Sequence, residues 1–523
     1  MSVRRAIFTL LIALTVLALP LQFVIDPTSE NIAAACIVLG SSLTVLLYVA
    51  GSEALETQPL STFAILGFCV TSQLGALLVQ TATWTALRSS LYDPIYTFGT
   101  LALYQGVAVL AHITYRFFSV ARPARVGFLR GLLDWAGVYR VPTSETLWIM
   151  GCIGLASYFF SRNLGVIGKV ALAFNFLTWG PFLIPFYLSQ VGDAYCNARR
   201  NKMLLGVFAM AMVVLGIGLN ARGIMFAGVV TVGLLYLLAG MRSHAPLTRR
   251  SVIRIGALAV VLAAVSVPLS DLATSMVIAR EWRGKVSAPE MMRTTLRVWR
   301  NPKLIAAYRA GGEAASRYKS YDEHYIDNAL LARFVGTKYV DNSLHFARAI
   351  STDDSKARLR DVSVRFLWAA LPGPVLHRLG ININKDELRF SMGDYLAYLS
   401  RGLPLGAHKV GSMLAQGTAL FGPLFPFVFA AICLVLFGVM DLLTIRPLDG
   451  AASLSALGML QIWSFFNAGL VYEGLHTVFT FLVRSVEQMV LIYVFVFGLA
   501  QLLLRSKQAI IGIPTVPVWH RAE

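Results

Sequence analysis

Residues 203–241 have the sequence MLLGVFAMAMVVLGIGLNARGIMFAGVVTVGLLYLLAGM, and this stretch decides the class of fold to which the chain belongs. Its only charged residue, Arg222, separates two apolar runs. Each run is about 20 residues long, which is enough for a helix to cross roughly 30 Å of hydrocarbon. Because lipid offers the backbone no hydrogen bonds, such runs form helices. The stretch therefore predicts two consecutive membrane-spanning helices joined by a tight turn.

The same pattern recurs along the whole chain. Of the 523 residues, 57% are hydrophobic and 14% are charged, whereas a soluble chain carries about a quarter charged residues. The predicted spans are 6–25, 31–50, 61–82, 95–115, 146–161, 167–190, 203–220, 222–241, 255–276, 412–440, 455–472 and 479–504. We therefore expect an all-α polytopic membrane protein with about twelve transmembrane helices.

The placement of basic residues predicts the orientation. The formal net charge of +18 would suit a nucleic-acid-binding protein, but the apolar spans exclude that class. The short loops on one side hold eighteen lysines and arginines and those on the other side hold three. Since basic residues favour the cytoplasm, we expect both termini to be cytoplasmic. Arg4 and Arg5 precede an apolar run without a cleavage site, so we expect an uncleaved first span.

Residues 277–411, which we call the long loop, are then external. The predicted organisation is spans 1–9 in residues 1–276, the long loop in 277–411, and spans 10–12 with a tail in 412–523. The long loop contains no cysteine, so no disulfide stabilises it and its order must come from docking onto the bundle. Its apolar spacing predicts helix over 289–310 with a break at Pro302, two short helices over 324–351, and a short apolar helix or re-entrant piece over 362–370.

Two positions have a pattern that suits chemistry. Arg222 stands at the outer end of a span and at the start of the next helix, where a guanidinium and free backbone N–H groups both favour a phosphate. An arginine that only reaches lipid headgroups is the alternative. His408 lies just before residue 412, where the tenth predicted span starts. It can take a proton from a sugar hydroxyl near neutral pH, although a lone histidine there is ordinarily a polar cap.

The order of two motifs carries a family resemblance. LNARG (219–223) opens an apolar helix, and after the long loop comes AHKVGSMLAQGTALFGPLFPFVFAAICLVLF (407–437), with Gln416-Gly417 and then Phe421-Gly422. Over roughly residues 200–440 the chain resembles bacterial polysaccharide (O-antigen or exopolysaccharide repeat unit) polymerases and O-antigen ligases. Lys409 stands where that family commonly has asparagine, and Gln416 where it commonly has an acidic residue.

The resemblance implies a GT-C-like membrane glycosyltransferase without cofactor in the bacterial inner membrane. Its donor would be an oligosaccharide on polyprenyl diphosphate, such as undecaprenyl diphosphate. Arg222 would hold the diphosphate and His408 would act as the base. The loop arginines that could help to bind substrate are Arg333, Arg348, Arg283 and Arg365. A chain-length regulator protein is a further partner that the resemblance admits.

One more acidic residue belongs to the candidates. Glu473 lies with Tyr472 and His476 at the outer ends of the last two predicted spans, as a contact for the acceptor sugar or a second acid or base. We expect no metal, because the histidines and acidic residues lack tight ligand spacing and arginines can stabilise the diphosphate leaving group.

Two alternatives stay open at this point. An O-antigen ligase would use the same donor and pass the glycan to lipid A-core. A lipid-linked oligosaccharide flippase or other transporter would also have about twelve spans. The spans, however, carry few central ionisable residues and the halves show no repeat, so an enzyme is favoured over a transporter.

Overall fold

The computed structural model describes residues 1–120, 127–160, 165–191, 198–283, 285–316, 322–328, 331–445, 452–468 and 472–511. Helices make up nearly all of the regular structure. In the described residues the strands are β1 (Thr444–Ile445) and β2 (Ser453–Leu454), which pair antiparallel. The prediction of an all-α chain is confirmed.

The helices before the long loop are α1 (Val3–Ile25), α2 (Ser29–Gly51), α3 (Ala54–Thr57), α4 (Pro59–Cys69), α5 (Gly75–Ala82), α6 (Pro94–Val120), α7 (Phe128–Trp135), α8 (Ser144–Phe160), α9 (Gly165–Leu172), α10 (Ile184–Val191), α11 (Ala198–Gly218), α12 (Arg222–Arg242) and α13 (Arg249–Ile278). A π-helical turn, Val70–Leu74, joins α4 to α5, and a 3₁₀ segment, Asn175–Leu183, joins α9 to α10.

The helices of the long loop are α14 (Ala288–Trp299), α15 (Pro302–Ser316), α16 (Thr337–Ala349), α17 (Asp353–Ala369), α18 (Gly373–Arg378) and α19 (Met392–Arg401). After the loop come α20 (Met413–Phe421), α21 (Phe425–Leu442), α22 (Ala456–Leu460), α23 (Leu475–Thr480) and α24 (Val486–Ile511). Short 3₁₀ turns cover Ala279–Trp282, Leu331–Arg333, Lys385–Leu388 and Gly422–Leu424, and π-helical turns cover Ser464–Ala468 and Phe481–Ser485.

Among the described residues, nine helical segments are long and apolar enough to cross a membrane. The chain is therefore a polytopic helical membrane protein. The other predicted spans, 146–161, 255–276 and 455–472, coincide with α8, with α13 and with α22 and the π-turn that follows it, which are helical but outside that set. The count of twelve stays a prediction.

The segment α4–α5 lies at the centre of the bundle. Every residue of α4 is buried. In the continuous span Pro59–Ala82, 78% of the residues in the most apolar stretch are buried. The π-helical turn between α4 and α5 shifts the backbone hydrogen-bond pattern, as such turns do. The carbonyl of Thr71 accepts a 2.8 Å hydrogen bond from the Gly336 N–H, and the carbonyl of Ser72 accepts one of 2.7 Å from the Thr337 hydroxyl. The long loop is thereby attached to the core of the bundle.

A buried carboxylate makes the second attachment. Asp341, on α16, accepts hydrogen bonds from the Tyr92 N–H at 2.9 Å and from the Thr97 hydroxyl at 3.0 Å. The Lys338 ammonium, one helical turn earlier, donates to the same carboxylate at 3.1 Å. Both charged side chains are almost fully buried. The long loop is thus docked onto the bundle by hydrogen bonds to the Asp341 carboxylate, and Lys338, on the same helix, pairs with that buried charge.

The loop helices follow the predicted ones in part. Within 324–351 the described helical segments are the 3₁₀ turn Leu331–Arg333 and α16, and α18 and α19 were not predicted. The helix over 289–310 is interrupted at Asn301, and a new helix begins at Pro302, where a missing N–H costs nothing. The helix predicted at 362–370 begins earlier, at Asp353, because the Thr352 hydroxyl caps it and acidic residues occupy its first turn. The predicted start of this helix was wrong because its capping residue, Thr352, precedes the apolar stretch.

We expect Asp341→Ala to destabilise the protein by about 3–5 kcal/mol, because it leaves Lys338 buried without its partner. Melting temperature in detergent micelles and the rate of tryptic cleavage in the long loop measure the effect. Asp354→Ala is the matched control, because the Asp354–Arg358 pair is mostly exposed and such pairs contribute about 0–1 kcal/mol. Equal effects of the two substitutions would show that docking does not depend on Asp341.

Candidate functional site

A cavity of about 490 Å³ lies where the long loop meets the bundle. Its lining comes from the turn before α12, the end of α13 and the segment after it, the start of α16, Val410 in the segment before α20, and the region around Trp463 and Tyr472. These parts are far apart in sequence. The cavity therefore exists only when the loop is docked.

Three arginines lie on one wall of the cavity: Arg222, Arg280 and Arg283. Arg222 is the first residue of α12, and no side chain caps the preceding Ala221 position. The positive end of the helix dipole therefore points toward the same wall. Among the described lining residues none is acidic. The wall is accordingly suited to an anion with more than one negative charge.

The turn that presents Arg222 has a defined conformation. Asn220 is left-handed, with φ 48°, which asparagine tolerates better than most residues. Its side-chain amide donates a 2.9 Å hydrogen bond to the Met276 carbonyl on α13. The start of α12 and the end of α13 are thus tied together, and the arginines that follow α13 are brought to Arg222.

Aromatic and amide side chains also line the cavity. Phe334 and Trp463 pack edge to face, with their ring centres 5.5 Å apart. Tyr339, Asn467 and Tyr472 belong to the same lining. The Tyr472 hydroxyl donates a 3.4 Å hydrogen bond to the Thr71 carbonyl, so the π-helical turn that holds the loop also holds this tyrosine.

The remaining surface of the cavity is apolar. Phe226 and Val230 contribute from α12, and Ala273, Met276 and Val277 contribute from α13. The cavity therefore has a cationic part and a hydrocarbon part side by side. This arrangement fits an amphiphilic ligand with an anionic group.

The segment around His408 is shaped by a second buried carboxylate. Asp394, which is fully buried, accepts hydrogen bonds from the N–H groups of His408 at 2.8 Å and Lys409 at 3.1 Å, and from the Lys409 ammonium at 3.1 Å. Burial raises the pKa of Asp394, but these hydrogen bonds outweigh burial, and the pKa lies below its ordinary value. Asp394 is therefore ionised at neutral pH and fixes the backbone of the segment.

His408 itself has a left-handed backbone, with φ 55°, and an exposed side chain. A histidine in this conformation is strained, and such strain is often found at functional sites. His408 is not among the lining residues, but Val410, two residues later, is. The imidazole is thus presented to solvent beside the cavity rather than inside it.

Glu473 lies on the other side of Val410. It too is left-handed, with φ 65°, and its N–H donates a 3.0 Å hydrogen bond to the Gly411 carbonyl. Burial raises the pKa of its carboxyl above the ordinary value. Since Tyr472 lines the cavity, Glu473 is a half-buried acid at its edge.

The other predicted residues are placed away from the cavity wall. Arg348 pairs with Asp93 at 2.7 Å, and Arg365 pairs with Glu387 at 2.7 Å. Neither lines the cavity. The Arg333 side chain lies outside the described residues. Of the four loop arginines predicted to bind substrate, the structure brings Arg283 to Arg222.

Gln416 has a structural role in this fold. Its amide donates to the Ser363 hydroxyl at 2.8 Å, and its carbonyl oxygen accepts from the Leu475 N–H at 2.8 Å. The side chain is fully buried. It joins α17, α20 and α23. A carboxylate at this position could only accept from the Ser363 hydroxyl, which already donates a 2.6 Å hydrogen bond to the Leu359 carbonyl.

Arg280, Tyr339 and Asn467 line the cavity but were not predicted. Arg280 comes three residues before Arg283, just after a predicted span, and that spacing was an available signal. For Tyr339 and Asn467 the sequence offers no signal, because their position depends on docking of the loop. Within the described part of the chain, no group of three histidine, cysteine or acidic side chains is close enough to hold a metal ion.

Comparison of the chain with protein-family models, with curated proteins and with solved structures finds no match. The resemblance to polysaccharide polymerases and ligases consequently stays a prediction from the two motifs.

Gly336 is the position where the cavity wall leaves no room for a side chain. A Cβ there would overlap the Tyr472 ring, whereas a Cβ at Gly223, on the arginine wall, would meet open space. We expect Gly336→Ala to cost about 1–3 kcal/mol by overpacking, and Gly223→Ala, within a helix, to be neutral or stabilising by up to about 1 kcal/mol. Melting temperatures of the two variants in micelles test this. A neutral Gly336→Ala would contradict the close approach.

Proposed function

We propose that this protein is a bacterial inner-membrane glycosyltransferase that polymerises oligosaccharide repeat units carried on polyprenyl diphosphate. In this proposal both termini are cytoplasmic, about twelve spans form a GT-C-like bundle, and the long loop faces the periplasm. The observation that carries the proposal is the cavity that combines three arginines with a hydrocarbon surface.

The arginine wall supports a diphosphate ligand. A guanidinium binds two phosphate oxygens at once, and a helix N-terminus adds backbone N–H groups. Charge that develops on the leaving diphosphate during transfer is stabilised by the same groups. The donor would therefore be held by Arg222, Arg280 and Arg283, with its lipid against the apolar surface of the cavity.

The transfer step needs a base next to the anomeric carbon. In the proposed reaction the acceptor hydroxyl gives its proton to His408 while its oxygen attacks the anomeric carbon. The bond from that carbon to the diphosphate breaks with inversion, and polyprenyl diphosphate leaves with the bonding electron pair. The fixed backbone of His408, beside the cavity, supports this role.

We expect Arg222→Ala to abolish polymer formation and Arg222→Lys to restore little of it, because an ammonium cannot form the bidentate contact. Arg280→Ala and Arg283→Ala should each raise KM for the donor about 10- to 100-fold, the effect of one lost charge-assisted hydrogen bond. Polymer length on gels and donor kinetics with purified protein measure these changes.

Arg293→Ala is the matched control for the arginine variants. Arg293 is exposed on α14 and does not line the cavity, so its removal should leave KM unchanged. If Arg222→Lys or all three cavity variants behaved like this control, the cavity would not be the diphosphate site.

His408→Ala should lower kcat by about 10²–10⁴-fold, the usual contribution of a general base, with KM for the donor little changed. Lipid-linked single repeat units would then accumulate on the outer leaflet, since a flippase acts before polymerisation. A transporter predicts accumulation on the inner leaflet instead. Transfer to lipid A-core rather than to a second repeat unit would identify a ligase.

The control for this experiment is Glu473→Gln. If Glu473 were the base, activity would fall as the pH drops through its carboxyl pKa, which burial raises above the ordinary value. That acidic limb would disappear in Glu473→Gln, and His408→Ala would keep its activity. This pair of outcomes would exclude His408 as the base.

A further inference from the structure

The helix α13 changes from exposed to buried along its length. From Leu272 to Met276 its side chains are buried, whereas Val260 is 70% exposed and Val267 is 63% exposed. Nearly all described side chains from Val252 to Pro268 are exposed, and most of them are apolar. Within the described part of the chain, α13 packs on α14, on α15 and on the 3₁₀ turn Ala279–Trp282, and near its end Leu272 and Met276 share a small buried cluster with Met225 of α12.

The boundary between the exposed part and the buried part of α13 lies close to Pro268, which is inside the helix. A proline inside a helix removes one backbone hydrogen bond and bends the helix axis. The half of α13 after Pro268 is held to the bundle, in part by the hydrogen bond from Asn220 to Met276. The half before it stands away from the bundle.

The exposed part of α13 lies next to the cavity. Phe226, Ala227 and Val230 of α12 line the cavity from one side, and Ala273 and Val277 of α13 line it from the other. The exposed apolar stretch of α13 begins less than two helical turns from Ala273. It spans roughly 25 Å at 1.5 Å per residue, close to the thickness of a bilayer's hydrocarbon core.

We infer that the groove between α12 and α13 is the lateral entrance and binding site for the polyprenyl chain of the donor. This rests on the proposed function. The chain lies along the apolar sides of both helices, and its diphosphate reaches the arginine wall without leaving the membrane. Because lipid tails are as apolar as the groove, the hydrophobic effect adds little. Part of the affinity comes from the diphosphate, and the rest comes from van der Waals packing of the long chain along the groove.

The test places a photo-crosslinking amino acid at Val230 or at Val229 of the full-length protein in lipid nanodiscs. Val230 lines the cavity. Val229 lies about 100° away from Val230 around the axis of α12, is 58% exposed and is not a lining residue. The probe is radiolabelled undecaprenyl diphosphate without sugar. We expect at least tenfold more labelling at position 230 than at position 229, with strong competition by unlabelled undecaprenyl diphosphate and weak competition by farnesyl diphosphate.

Equal labelling at the two positions would overturn the inference, since bulk lipid contacts both. Crosslinking of position 230 to a second copy of the chain would also overturn it, because the groove would then be an oligomer interface. Equal competition by the farnesyl compound would show that only the diphosphate is bound.

The assay needs no sugar transfer, so its failure is distinct from failure of the proposed function. Selective labelling in a protein that transfers no glycan would support the groove and reject the enzyme. Donor-dependent polymerisation without selective labelling would support the enzyme and reject the groove.

Discussion

The carboxylate of Asp341 receives hydrogen bonds from two backbone N–H groups, from the Thr97 hydroxyl and from the Lys338 ammonium, in a position that is 1% exposed. A buried carboxyl group is stable there because its oxygens have hydrogen-bond partners. The helix that carries it, α16, begins at Thr337, bonded to the π-helical turn of the central span. Tyr339 and Gly336, which line the cavity, are therefore fixed by the docking of this one helix.

The Asp394 carboxylate fixes the backbone near the C-terminal end of the long loop. Because hydrogen bonds hold its pKa below the ordinary value, it stabilises the fold at pH values above the unfolded pKa, and this contribution is lost as pH falls through the folded pKa. At neutral pH it is fully present. In a loop without cysteine, Asp341 thus fixes α16 to the segment before α6, and Asp394 fixes the backbone of His408.

Hydropathy and local signals predicted much of the fold, since a span depends on about 20 consecutive residues. Pro302 marked a helix start, and the turn before Arg222 was recognised from its own sequence. The partners of loop arginines could not be found this way. Arg348 pairs with Asp93, 255 positions earlier in the chain, and the same helical setting that made it a candidate also suits a docking contact. Arg283 and Arg280 join Arg222 because Asn220 binds the end of α13, which is a tertiary contact.

The cavity's two surfaces argue for a lipid-linked rather than a soluble anion. A soluble phosphate would need only the arginines for binding. The apolar sides of α12 and α13 would then face water, and the free-energy cost of that exposure grows with their area. In a membrane the same surfaces cost nothing when hydrocarbon covers them. Arginines of a membrane protein are stable where they can reach polar groups. An amphiphile that has a diphosphate at one end would satisfy both surfaces at once, with its chain along the exposed apolar residues of α13 before Pro268.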